Sequence, residues 1–401
     1  CDSDWSSDVC SSDLIAGAEI EDKTVQVEED GSWSATVEGE VTVNPVHEDY
    51  VSLPREKRGI SSETEEINFT VKKAPTIEPI SGVDQDFIRG MDVSALNAIE
   101  ENGGKYYDNG EERDLLKILK DHGVNYIRLR LWNDPEGKGG GETDLETVKE
   151  LAQRAKKLDM KVLLDFHYSD FWADPGTQGK PAAWEDYSFE KLKQAVNEFT
   201  YQSLLELKEA GALPDMVQIG NEVNNGMLWP EGKLWAEDGE EVGGWSQFAE
   251  LLQAGLDATN QVETETDQEI KSIIHKADPG KGVDWFIEDL EDEGVTGFDV
   301  VGFSYYPYWP GHGGLDETYT AHEGVYTNLA EQMNNVAEMG YGVAVVETSY
   351  GFTLEGADDG PNHLNRDQLD RIEDDRYLPE PSIQNQAEMI REVMKVVSEV
   401  P

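Results

Sequence analysis

Asn125-Tyr126-Ile127-Arg128-Leu129-Arg130-Leu131-Trp132 is the stretch that decides how this chain folds. Apolar and polar side chains alternate through it, which is the period of a β-strand. Ile127, Leu129 and Leu131 share one face, and Arg128, Arg130 and Trp132 share the other. A buried arginine without a carboxylate is strongly destabilising, so the second face requires acidic partners from neighbouring strands. Residues 161–167 provide them, with Val162, Leu164 and Phe166 on one side and Asp165 and His167 on the other, while Asp92 ends the run 87–92.

Working outward, further strand-like runs fall at 216–221, 270–275, 300–305 and 343–347, which makes seven. Helical periodicity fills the gaps, for example Leu145, Val148, Leu151, Ala152, Ala155 and Leu158 along one face. Alternation of strand and helix calls for a parallel sheet covered by helices, the α/β class. A (β/α)8 TIM barrel has eight strands, and the last helix, carrying Met389, Ile390, Val393, Met394 and Val397, runs into Pro401. The expected fold is therefore a TIM barrel whose eighth strand is truncated, with two exposed parallel edges, and the 401 residues alone are expected to be unstable. A doubly wound open sheet is the alternative, but no Gly-rich phosphate turn follows the first run.

The region before this pattern reads differently. Between residues 15 and 73 short alternating runs such as Thr24-Val25-Gln26-Val27 and Ile67-Asn68-Phe69-Thr70-Val71 are separated by turn clusters, predicting a small all-β sandwich-like module of Ig-like or carbohydrate-binding type. Residues 74–83 read as a linker and 84–401 as the barrel. Residues 1–14 repeat Ser-Asp and read as a non-native segment. They hold half of a possible disulfide each, Cys1 and Cys10, the only cysteines of the chain, so neither a disulfide framework nor a thiolate metal cage braces the body.

Composition narrows the function. Asp and Glu number 84 against 32 Lys and Arg, a formal charge of −52, which repels phosphate backbones and anionic lipid. Nucleic acid and membrane partners are excluded as expectations, and no run of about 18 apolar residues is present to span a bilayer. An acidic shell of this density suits high salt, where screening weakens self-repulsion, and a halophilic secreted protein is expected, although no signal peptide opens the chain.

Polar residues collect at the ends of the strand runs, where a barrel of this type builds its active site. Gln218-Ile219-Gly220-Asn221-Glu222 ends the fourth and Val343-Ala344-Val345-Val346-Glu347 the seventh. Two strand-end glutamates three strands apart face each other across a barrel mouth, and glycosidic hydrolysis uses such a pair, one as acid and one as nucleophile or base. Trp132, Tyr168, Phe171, Trp172, Trp229, Trp235, Tyr306, Tyr308 and Trp309 crowd the same loops, and aromatic rings suit the flat C–H faces of sugars. Trp172 and Trp309 are expected to face sugar, whereas Trp285, inside a helical stretch, is expected in the core. For Arg128 and Asp165 a purely structural ion network competes with a functional role; for Arg130 and His167, nearer the mouth, function is expected.

Five ordered motifs then carry a resemblance. Phe87-Ile88-Arg89-Gly90-Met91-Asp92-Val93-Ser94, the arginine strand followed by Asn133-Asp134-Pro135, Asp165-Phe166-His167-Tyr168-Ser169-Asp170-Phe171-Trp172-Ala173-Asp174-Pro175, Gln218-Ile219-Gly220-Asn221-Glu222 and Val346-Glu347-Thr348-Ser349-Tyr350 resemble the arabinogalactan endo-β-1,4-galactanases of glycoside hydrolase family 53. The likeness covers residues 84–400. It implies a retaining (β/α)8 hydrolase of β-1,4-galactan, with Glu222 as acid/base, Glu347 as nucleophile and Asn221 on the sugar 2-hydroxyl. It further implies that Asp92, Arg130, Trp132, His167, Trp172, His275, Tyr306 and Trp309 bind substrate or orient the carboxylates, with Arg130 the cation beside the nucleophile. No cofactor is implied for the chemistry. Some members of the family hold a structural calcium in the loop after the seventh strand; here that loop, Glu355-Gly356-Ala357-Asp358-Asp359-Gly360-Pro361-Asn362-His363-Leu364-Asn365, has oxygen ligands at a different spacing, so calcium and a solvated acidic loop stand as alternatives. The expected partner is a neutral polysaccharide met by a monomer. A mannanase or cellulase of the same clan, or a non-catalytic sugar-binding barrel, are the alternative functions.

Overall fold

The computed structural model describes residues 17–20, 23–25, 41–46, 50–53, 57–60, 70–84, 86–108, 111–135, 141–236, 239–279, 282–308, 324–354, 364 and 379–401. Near the N-terminus, β1 (Gly17–Ile20), β2 (Lys23–Val25), β3 (Val41–Val46), β4 (Tyr50–Leu53), β5 (Lys57–Ile60) and β6 (Thr70–Lys73) pair antiparallel, in a four-stranded sheet of order β2-β1-β3-β5 and a two-stranded sheet β4-β6. The connector beyond β6 is tied to the end of the chain: Gln384 exchanges two hydrogen bonds with the backbone of Thr76, and Arg391 Nε donates to Glu78 O.

The expected βα repetition is observed. In chain order come β7 (Gly90–Asp92), α1 (Leu96–Glu101), the hairpin β8 (Tyr106–Asp108) and β9 (Glu111–Arg113), α2 (Leu115–Asp121), β10 (Tyr126–Leu131), α3 (Leu145–Lys156), β11 (Lys161–Phe166), α4 (Phe189–Glu209) and β12 (Met216–Ile219). There follow α5 (Gly244–Thr266), β13 (Lys271–Lys276), α6 (Val283–Asp292), β14 (Val300–Ser304), α7 (Gly324–Glu338), β15 (Gly342–Glu347) and α8 (Ile383–Ser398). The helices start where side chains cap them: Asp114, Asp144, Ser188 and Ser382 each accept the backbone N–H three residues on. Their apolar faces then cover the sheet.

The sheet has seven parallel strands in order β15-β14-β13-β12-β11-β10-β7. Laid flat, β10 and β15 would stand roughly 24 Å apart, at about 4.8 Å per strand. Arg128 on β10 nevertheless reaches Glu347 on β15 at 2.8 Å, so the sheet is curled into the greater part of a barrel. Alternation divides its two faces. Ile127, Leu129, Leu131, Val162, Leu164, Phe166, Val217, Ile219, Ile274, Val301 and Phe303 join the large core under the helices. Tyr126, Leu163, Met216, Ile273 and Val300 close a second, smaller core inside the curl. Directly above it, one step along the same strands, lie Arg128, Asp165, Gln218 and His275, all buried. The strands at the margins are less covered: Met91 on β7 is 47% exposed, and β15 is only half-buried along its length.

Strict alternation fails at the end of β15. Ala344 and Val346 pack against the inner core, so an unbroken period of two would send Glu347 outward. The β14–β15 register shifts between Phe303 and Ser304, Phe303 pairing with Val345 but Ser304 with Glu347. This bulge adds one residue and turns the Glu347 side chain into the mouth.

Candidate active site

Inward side chains near the C-terminal ends of the strands form one polar layer. Arg128 from β10 is the hub, donating through Nη1 to Asp92 at 3.1 Å and through Nη2 to Asp165 at 2.7 Å, Asn221 at 3.0 Å and Glu347 at 2.8 Å. Burial alone would pull its guanidinium down, but Asp165, Glu347 and Asp92 together hold it above its ordinary value. Asp165, with no exposed surface, is pushed up by burial, and Arg128 and His167 outweigh that and keep it below the usual carboxylate range. His167 accepts the Ala173 N–H on Nδ1, and its Nε2 stands 3.0 Å from Asp165 Oδ2, at ion-pair distance but outside hydrogen-bond geometry.

Glu347 is held on both oxygens. Oε1 accepts from Arg128 and Oε2 from the Tyr306 hydroxyl at 2.9 Å. Burial first, and then Glu347 itself, push the Tyr306 phenol up, so it remains a donor. These contacts match an ionised carboxylate.

Glu222 is built otherwise. Its strand ends at Ile219, and the chain turns through Gly220, at φ 80°, so that Glu222 itself sits in the left-handed region at φ 51°. A Cβ on Gly220 would come 2.6 Å from Val223 Cγ1, so the tight turn requires glycine. Such backbone strain is retained where a site needs a side chain aimed. Asn221 Nδ2 donates to Ala173 O at 2.7 Å, and Gln178 Nε2 donates to Asn221 O at 2.8 Å, which pins the turn from the loop after β11. Glu222 Oε1 accepts from Ser304 Oγ at 2.6 Å, and no cation touches it within hydrogen-bond reach among the described residues. Burial, reinforced by the charge of Glu347, pushes its carboxyl up from 4.5 to about 8.

One carboxylate oxygen of Glu222, one of Glu347 and a ring nitrogen of His275 lie within 4.8 Å of one another. Those donor types also suit a metal, but both nitrogens of His275 are already in hydrogen bonds and Glu347 faces a guanidinium. The arrangement fits a pair of carboxyl groups in different protonation states better.

The placement of the remaining residues refines the sequence reading. Arg128, not Arg130, is the cation on Glu347. Arg130 instead lies in the corner of two indoles that meet edge to face, its Cζ 4.5 Å from the Trp132 ring centre and 4.2 Å from that of Trp172, and donates to Gly141 O. Alternation puts both arginines on the inner face, and it is the guanidinium of the lower one that reaches Asp92, Asp165 and Glu347. Trp132 is fully buried and supports Arg130 and Trp172 from behind, so it offers no open face to a sugar; Trp172 is 42% exposed. Asp92, His167, Asn221, His275 and Tyr306 all join the layer around the two glutamates. Trp309 and nearly all of the loop 355–365, the candidate calcium loop, lie outside the described residues. Trp285 is 43% exposed rather than in the core, in edge contact with Trp235 and Trp245. Two residues escaped the sequence reading: Gln218, which donates to Asp165 at 2.7 Å, and Ser304. Strand alternation held the signal for both, since each shares the inner parity of its strand.

Comparison with known proteins gives a consistent answer. The family model described as Glycosyl hydrolase family 53 matches residues 88–401. An uncharacterized protein of Niallia circulans is 42% identical over 324 residues, covering 79% of this chain and 81% of its own. The endo-beta-1,4-galactanase of Bacillus subtilis is 37% identical over 331 residues, covering 80% of this chain and 69% of its own. Among solved structures, the GH53 catalytic domain of Ignisphaera aggregans superposes with a TM-score of 0.68 at 41% identity, over 80% of this chain and 83% of that one.

Proposed function

This chain belongs to glycosyl hydrolase family 53, and on that footing we propose that it cuts β-1,4-linked galactan internally, with retention at the anomeric carbon. The observation that carries the reading is the unequal treatment of two neighbouring carboxyl groups. Glu347 is fixed by Arg128 and Tyr306 as an anion, while Glu222, whose oxygen comes within 4.8 Å of it, is kept protonated near neutral pH. So close an approach of the two carboxylates supports retention, in which the second one attacks the sugar directly, over inversion, in which the pair stands farther apart around a water.

In the first step Glu347 attacks the anomeric carbon as Glu222 protonates the departing oxygen. The charge of Glu347 then disappears into the ester, the repulsion that raised Glu222 falls away, and Glu222 accepts a proton from the incoming water. Asn221, held toward Arg128 and Gln218, is placed for the sugar 2-hydroxyl. Trp172 and the loop of Trp309 supply sugar-facing surface, and Arg130, Asp92, His167, His275 and Tyr306 set orientation. A charge of −52 suits a neutral polysaccharide and a saline, extracellular setting, with the chain acting as a monomer and residues 15–73 as a separate β module joined through 74–83.

The test is reducing-sugar release from galactan, β-mannan and carboxymethylcellulose, with the anomer of the first product followed by NMR. Galactan cleavage with β-product first is expected. Preference for mannan or cellulose, or α-product first, overturns the reading.

A further inference from the structure

Glu222 is tied into a ring of hydrogen bonds that begins and ends on itself. Its backbone N–H donates to His275 Nδ1 at 3.2 Å, so Nδ1 must present a lone pair. Gln218 Nε2 lies 2.8 Å from the same nitrogen. The orientation of that amide is fixed, because it also donates to Asp165 Oδ1 at 2.7 Å; turned over, its carbonyl would face the carboxylate. One contact runs the other way, Asn221 Oδ1 at 3.2 Å from Nδ1, but that oxygen already accepts from Arg128 at 3.0 Å. A second ring proton is excluded: burial, and then the charge of Arg128, push His275 well below the ordinary imidazole value.

The single imidazole proton is therefore on Nε2, which stands 2.9 Å from Ser304 Oγ. With a lone pair of Ser304 engaged there, its own O–H is directed at Glu222 Oε1, 2.6 Å away. Every bond in the ring has one direction.

We propose that Ser304, oriented by His275, is a positioning residue that assigns the acid proton of Glu222 to a single oxygen. Oε1 remains an acceptor whether Glu222 is charged or neutral, so the proton resides on Oε2. As the C1–O bond breaks, its electron pair goes to the departing oxygen, which takes the proton from Oε2, and Glu347 forms the new bond to C1. In the second step Oε2 takes a proton from water while the water oxygen replaces Glu347 at C1. One oxygen thus exchanges the proton in both directions. The assignment rests on the proposed glycosidase function. Glu347, Asp174 and burial act on Glu222 in one sense, and Ser304 and Arg128 in the other.

The experiment compares wild type, Ser304→Ala and Ser304→Thr on galactan and on a 2,4-dinitrophenyl β-galactobioside, whose leaving group departs without a proton. For Ser304→Ala, kcat/KM on galactan is expected to fall about tenfold, part of the roughly 100-fold or more that general acid catalysis supplies. Its high-pH limb is expected to move upward, with the dinitrophenyl substrate unchanged within about twofold. Ser304→Thr, which keeps the hydroxyl, restores the limb. An equal loss on both substrates with the limb unmoved, or no loss on either, overturns the assignment. A wild type inert on both substrates removes the function reading, and this assignment with it.

Discussion

Glu222 and Glu347 share one mouth but stand on different kinds of ground. Glu222 follows β12, in the covered middle of the sheet, where Gln218, His275 and Ser304 have no exposed surface and the groups that touch its carboxyl are neutral. Glu347 ends β15, a margin strand, with its side chain 16% exposed, and is met by a guanidinium from five strands away. Two identical side chains acquire opposite jobs because the curl of the sheet brings the one cationic hub to one of them and only dipoles to the other. The division is set by tertiary geometry, not by the residues themselves.

Removing the anion breaks the comparison most severely. Glu347→Gln keeps the shape and loses the nucleophile, so kcat on galactan is expected to drop by about 10⁴-fold or more, as for nucleophile removal in other hydrolases. Reducing-sugar release checks it, and a loss of less than tenfold would end the assignment. Arg128→Met comes next. It strips the cation from Asp92, Asp165 and Glu347 at once, two of them largely buried, and is expected to cost about 3–5 kcal/mol of stability as well as nearly all activity. Chemical denaturation measures the first; a stability within 1 kcal/mol of wild type, roughly the worth of an exposed pair, would mean that the layer is solvated.

Glu222→Gln sharpens the comparison from the other side. The folded chain holds a proton on Glu222 up to about pH 8, whereas the unfolded chain releases it near 4.5. Between those values the folded state binds more protons than the unfolded one, so this group's effect on stability grows more unfavourable as pH rises through the window. Glutamine has no proton to release. The melting temperature of Glu222→Gln should therefore equal that of wild type near pH 4, exceed it increasingly toward pH 8 and keep a constant margin above. A margin already complete at pH 5 would show an ordinary carboxylate. In wild type the same titration is expected to end activity above about pH 8.

Much of this was legible along the chain. All seven strands of the curled sheet can be read from alternation and strand-ending polar residues, with bounds that differ by a few residues at most, because buried parallel strands carry long apolar runs. What alternation cannot carry is height and curl. Arg128 and Arg130 have the same parity, and although the register pairs Arg130 with Asp165 on β11, it is Arg128, paired with Asp92 on β7, whose guanidinium reaches both carboxylates. Ser304 was hidden by its neighbours Tyr305 and Tyr306, which draw attention as aromatics, though Tyr305 is packed under the helices. The bulge that turns Glu347 inward leaves no mark in local composition, since Val345-Val346-Glu347 reads as an ordinary strand end.

The smallest effect concerns the rim rather than the carboxylates. Trp172 is 42% exposed, meets the Arg130 guanidinium at 4.2 Å and stands edge to face with buried Trp132, which the same guanidinium approaches at 4.5 Å. A guanidinium over an indole is worth about 0.5–2 kcal/mol for each ring. Trp172→Ala removes the outer ring and whatever sugar contact it makes, but leaves Arg128, Glu222 and Glu347 as they are. KM for galactan is therefore expected to rise severalfold, within the roughly 10-fold that 1.4 kcal/mol allows, with kcat changed by less than about twofold. Initial rates across a galactan series decide it. A fall in kcat at constant KM would place Arg130 and its indole pair in the chemistry itself and erase the distinction between rim and centre.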